Sequence, residues 1–154
     1  NARVVDADRE PALAARVRPG GVVAFIEYDI LGAEWWPDLP LVAQSHGLLA
    51  RAFSAAGART RMGMELWGAY KAAGLPAPTL QLDANILGGT GGPMFPNMVG
   101  ALRALSPVIE KAGLARIEDL GLDTLAARLD AAVAESNGCT VPPPLVGAFA
   151  RLSG

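Results

Sequence analysis

At 154 residues the chain has the length of one ordinary domain, and 51% hydrophobic residues are enough for a buried core, which excludes a disordered tail. Thirteen basic against fifteen acidic side chains, with no dense run of Lys and Arg, exclude a phosphate-tracking nucleic-acid face. The apolar runs stop well short of the roughly 20 residues a membrane span needs, and the lone Cys139 excludes an internal disulfide and a multi-cysteine zinc site. The expectation is a soluble, cytoplasmic protein without a bound metal.

In chain order, Asp8 to Arg18 reads as a short helix, stopped by Pro19, Gly20 and Gly21. Val22 to Tyr28, "VVAFIEY", is a continuous β-branched and aromatic run, the signature of a strand buried on both faces. From Leu39 to Ala56 the positions Val42, Ser45, Leu49, Ala52 and Phe53 keep close to a 3.6-residue period, so an amphipathic helix is expected, ended by Gly57. Met64 to Ala73 is a second helix, closed by Gly74 and Pro76. Thr79 to Leu87, "TLQLDANIL", alternates apolar and polar side chains as a half-exposed strand does. After "GGTGGP" a helix runs from about Phe95 to Lys111, bent near Pro107. Asp123 is placed to cap the next helix, whose stripe is Leu122, Leu125, Leu129 and Val133, and Leu145 to Leu152 makes the last strand. The elements predict an α/β fold with a mixed sheet, its last two strands pairing as an antiparallel edge and helices inserted between them.

Few residues offer chemistry. Glu27, Tyr28 and Asp29 end the first strand, where open α/β sheets place their ligands, and either line a site or cap the loop. Trp35 and Trp36 are adjacent, so both indoles cannot enter one core from so short a segment; one lining an apolar pocket stands beside plain packing. Arg61 either faces the same pocket or is an ordinary loop arginine. His46, the only histidine, is the candidate general base, against the plainer reading of a hydrogen-bonded helix histidine. Gly88, Gly89, Gly91 and Gly92 fit neither phosphate-loop spacing and no basic residue follows before Arg103, so they read as a flexible connector or lid. Cys139 reads as a small buried hydrophobe.

Taken together, "LAARVRPGGVVAFIEYD" resembles the helix, Pro-Gly-Gly turn and fifth strand of class I (Rossmann-like) S-adenosylmethionine-dependent methyltransferases. "LWGAYKAAGLPAPTLQLDANI" is similar to the family's following helix and sixth strand, and "PPPLVGAFAR" to its antiparallel seventh strand. The likeness spans about Asp8 to Arg151, with "ARVVD" at Ala2 to Asp6 offering a remnant of the fourth strand. It implies SN2 transfer of a methyl group to a small apolar or aromatic acceptor, governed by positioning. The glycine-rich turn and acid that hold the cofactor in the family's first half match no residue here. The resemblance therefore implies one incomplete methyltransferase-like domain over 1–154, the acceptor-side half, inactive alone, its S-adenosylmethionine-binding N-terminal half lying elsewhere or its exposed strand covered in a homodimer. The alternative is a non-catalytic binding or self-associating module with half of such a fold.

Overall fold

A computed structural model describes residues 16–153. Most of the N-terminal helix expected over Asp8 to Arg18, and the strand remnant at Ala2 to Asp6, lie outside the described residues. The chain resolves into two compact units, each discontinuous in sequence. Unit 1 holds residues up to Asp29, Arg61–Asp83 and the segment from Leu145; unit 2 holds Ile30–Thr60 and Ala84–Pro144.

Among the described residues, unit 1 is a three-stranded sheet and one helix. Strand β1 (Val22–Tyr28), helix α2 (Met62–Ala72), β3 (Thr79–Asp83) and β6 (Leu145–Arg151) are its elements. β6 lies between β1 and β3 and is antiparallel to both, with Tyr28 and Asp83 each opposite Leu145. Two expectations are thereby corrected: the last strand is central, and every strand pair among the described residues is antiparallel, so the sheet is not mixed at the level of neighbours. β1 and β3 nonetheless run in the same direction, because each opposes β6.

The strand Val22–Tyr28 forms as expected, but it is not buried on both faces. Val23 is buried while Val22, Ile26 and Tyr28 are exposed. Period two explains this: Val23 and Phe25 share a face with Val146, Ala148 and Ala150, and that face packs on Met62, Leu66, Ala69 and Tyr70 of α2. Gly63 lets the helix approach, since a Cβ there would lie 2.9 Å from a Val146 methyl and 3.2 Å from the Glu27 carbonyl oxygen. The fully buried Tyr70 hydroxyl lies 2.9 Å from the Ala148 carbonyl and 3.1 Å from that of Val23, so one side chain bridges β6 and β1.

Unit 2 is mostly helical. It contains α1 (Pro40–Ala55), α3 (Met94–Ala104), α4 (Ser106–Lys111) and α5 (Leu122–Glu135), with a small antiparallel sheet in the order β2 (Glu34–Trp36), β5 (Cys139–Val141), β4 (Leu87–Gly88). The expected stripe Leu122, Leu125, Leu129 and Val133 is buried, together with Val42, Leu48, Leu49, Phe95, Met98 and Leu102. The helix predicted from Phe95 to Lys111 is two helices meeting at Leu105, with Pro107 in the first turn of the second, where its missing N–H costs nothing. Asp123 does not cap α5: the N-cap is Gly121 at φ 57°, and Asp123 instead accepts from Arg103 at 2.6 Å. The strand expected over Thr79 to Leu87 divides, its first part in the sheet of unit 1 and its end, Leu87–Gly88, in that of unit 2. No helix among the described residues is long and apolar enough to cross a membrane.

Candidate functional site

The carboxyl ends of β1 and β3 lie at one end of the unit 1 sheet, because Tyr28 and Asp83 share Leu145 as their cross-strand partner. Of the residues expected to matter, Glu27, Tyr28, Asp29 and Arg61 belong to this unit. Glu27 lies on the α2-facing side of β1 and is half-buried, whereas Tyr28 stands on the opposite, open face. Asp29 directly follows β1 and is only 4% exposed. Arg61 is the N-cap residue of α2, and its half-exposed Nη1 lies 3.7 Å from Asp29 Oδ2. That separation gives charge attraction without a hydrogen bond. The other oxygen, Oδ1, is buried with no hydrogen-bond partner.

Asp29 Oδ1 is one of two buried carboxylate oxygens without a hydrogen-bond partner among the described residues, the other being Glu65 Oε2 in the first turn of α2. A carboxylate offers acceptor sites only, and burying one unpaired costs about 1–3 kcal/mol or more. Native structures keep such groups rarely, and functional sites are where they concentrate. The sequence placed Asp29 correctly at the strand end but offered no sign of which oxygen is free. Asp83, in the same row as Tyr28, was passed over because an acid in an alternating strand looks like an ordinary solvent-facing residue; its position as the last residue of β3 was the available signal.

The remaining predicted residues, Trp35, Trp36 and His46, belong to unit 2. Neighbours on a strand point to opposite faces. Trp35 accordingly packs against the core and meets the His46 ring edge-on at a centroid distance of 5.6 Å, while Trp36 is 73% exposed. His46 is buried and its Nε2 lies 2.8 Å from the Ile30 carbonyl oxygen. A carbonyl only accepts, so the ring proton sits on Nε2 and Nδ1 keeps a lone pair. Burial holds the imidazole pKa below its usual 6.5, partly offset by the Ile30 hydrogen bond. His46 is thus a neutral, oriented ring, and among the described residues its contacts are the Ile30 carbonyl and the Trp35 ring. Cys139 lies half-buried in β5 opposite Trp36 and Gly88.

The glycine-rich segment, expected as a flexible connector or lid, makes several hydrogen bonds. Asp130 Oδ1 accepts from Thr90 Oγ1 and from the Gly91 amide, each at 2.8 Å; the Gly92 amide donates to Thr90 Oγ1 at 3.0 Å and the Gly89 amide to the Gly138 carbonyl at 2.8 Å. Thr140 Oγ1, fully buried, donates to the Thr90 carbonyl at 3.0 Å. With the Gly89, Gly91 and Gly92 amides occupied and a carboxylate at the loop, the segment does not offer the free amides that an anionic phosphate needs. A surface cleft of unit 2, lined by Glu110, Gly113, Ala115, Arg116 and Glu118, contains none of the expected residues, and its Arg116 is engaged by Glu118. Among the described residues no three His, Cys, Asp or Glu side chains converge as metal ligands.

No protein-family model matches the chain, and no curated protein matches it. The site therefore rests on its own geometry.

Proposed function

We propose that these 154 residues form the acceptor side of an S-adenosylmethionine-dependent methyltransferase acting on a small apolar or aromatic molecule. The observation that carries the reading is the order β1-β6-β3, with the last strand inserted antiparallel between two strands of common direction. The sequence likens these three to the fifth, seventh and sixth strands of the family, whose seventh strand is antiparallel. The excursions Ile30–Thr60 and Ala84–Pro144 leave from the carboxyl ends of β1 and β3, where such sheets bind ligands. In this reading the donor-holding groups come from residues outside 1–154, and this chain orients the acceptor. Its catalytic contribution is positioning.

The test is transfer of labelled methyl from S-adenosylmethionine by the polypeptide as cells make it, recovered with an antibody to this chain. Methylation of small aromatic acceptors is expected. No transfer, together with no saturable binding of S-adenosylmethionine to that polypeptide, overturns the reading. Calorimetry on the 154 residues alone is expected to give no saturable heat with S-adenosylmethionine; saturable binding would mean that this chain holds the donor itself.

A second reading, a non-catalytic self-associating module, is favoured by one observation. Val22, Ile26, Tyr28 and Phe149 line an open face of the unit 1 sheet, exposed by 43% to 68%. Contiguous apolar surface of this kind marks contact surfaces. Sedimentation equilibrium distinguishes the two, since a stable dimer without methyl transfer selects the second.

A further inference from the structure

We propose that Asp29 Oδ1 is the recognition point for the acceptor and that the acceptor is a small molecule presenting a neutral hydrogen-bond donor, a hydroxyl or an uncharged N–H. This rests on the methyl-acceptor reading and narrows it to a substrate class.

Three observations at one residue support the assignment. Asp29 is 4% exposed, so its carboxylate is out of bulk water, and Oδ1 has no partner. The residue directly follows the carboxyl end of β1, next to Tyr28 in the row Tyr28, Leu145 and Asp83. Oδ2 is within charge range of Arg61 but beyond hydrogen-bond range. The last point selects the ligand. Arg61 already lies within charge range of the carboxylate, so what Oδ1 lacks is a hydrogen-bond donor and not a further charge. A neutral O–H or N–H supplies only what Oδ1 lacks.

Asp29→Asn gives a directional test. The guanidinium only donates, so the amide oxygen of Asn turns toward Arg61 and the amide nitrogen takes the place of Oδ1. The variant thus replaces a free acceptor with a donor at nearly constant volume. The experiment is a heteronuclear NMR titration of the full 154-residue chain with phenol and, separately, with anisole, which has the same ring and an oxygen but no O–H. Phenol is expected to perturb Tyr28, Asp29 and Arg61 and to bind about tenfold more tightly than anisole, as one charge-assisted hydrogen bond provides. Asp29→Asn is expected to erase that preference. Equal affinity for the two probes, or a preference that survives Asp29→Asn, overturns the proposal. If Asp29→Asn does not fold, the wild-type Asp29 ¹³Cγ resonance decides: it moves with phenol and not with anisole, whereas no movement means that Oδ1 holds at most a water and the proposal fails. No methyl donor is present, so a phenol preference without any methyl transfer by the cellular polypeptide would remove the methyltransferase reading and leave this site standing.

Discussion

The two units solve the same burial problem with different success. Unit 2 gathers four helices around sixteen buried residues and leaves Leu31, Trp36 and Ile86 as its strongly exposed large apolar side chains. Among the described residues, unit 1 has one helix for a three-stranded sheet, eight residues in its buried cluster, and Val22, Ile26, Tyr28, Met64, Trp67, Leu80, Leu82 and Phe149 exposed. A helix covers one face of a sheet, and the other face then needs a second layer or water. The helical unit reads as a finished core; in the sheet unit the face with Val22, Ile26, Tyr28 and Phe149 stays open, and on the helix side Leu80 and Leu82 of β3 are exposed as well.

The largest test of that contrast is Phe95→Ala. Phe95 is fully buried in unit 2, and its loss is expected to cost about 3–5 kcal/mol in urea unfolding. A cost under about 1 kcal/mol would mean that unit 2 is loosely packed and the contrast false. Tyr70→Phe comes next. It keeps the ring that packs edge-on against Phe25 but strips the buried hydroxyl shared by the Val23 and Ala148 carbonyls, for an expected loss of about 1–2 kcal/mol. Hydrogen exchange should then quicken in β1 and β6 while α5 is unaffected; acceleration in both would mean that the units unfold as one.

The same contrast explains what could be read in advance. The helices of unit 2 announce themselves through a 3.6-residue period, as Leu122, Leu125, Leu129 and Val133 do, because that stripe is a local record of burial. β1 was legible as a strand, yet its two-sided burial was not: a run of apolar residues records hydrophobicity, and which face finds a partner depends on α2, elsewhere in the sequence. The three-residue β2 and β5 and the two-residue β4 are too short to carry a period at all. At the site, Asp29 and Arg61 were legible as strand-end and loop residues. Their pairing was not, because it joins the two ends of the Ile30–Thr60 excursion and no spacing rule connects them.

His46 sharpens the account of unit 2 through pH. Its folded pKa lies below the ordinary 6.5, chiefly because burial disfavours the imidazolium. The unfolded chain therefore takes up the proton first as the pH falls past 6.5, and this group's stabilisation, present above that value, is progressively lost until the lower folded pKa is reached. Unfolding free energy is expected to decline on acidification from pH 7 in the wild type and to decline less in His46→Gln. Equal slopes would mean that the ring is not buried as described.

The smallest expected effect is the most informative about unit 1. Ile26 is 68% exposed on the open face of β1, so Ile26→Thr removes little buried surface and keeps a β-branched side chain in the strand. If the face meets only water, stability should change by less than about 0.5 kcal/mol, with no dependence on protein concentration. If a second copy covers it, wild-type stability rises with concentration by mass action and Ile26→Thr weakens that rise, an effect visible at equilibrium even where the monomer is barely altered. The substitution leaves Asp29 and Arg61 untouched. A concentration dependence that it abolishes would therefore assign the open face to self-association, independently of what the end of the sheet binds.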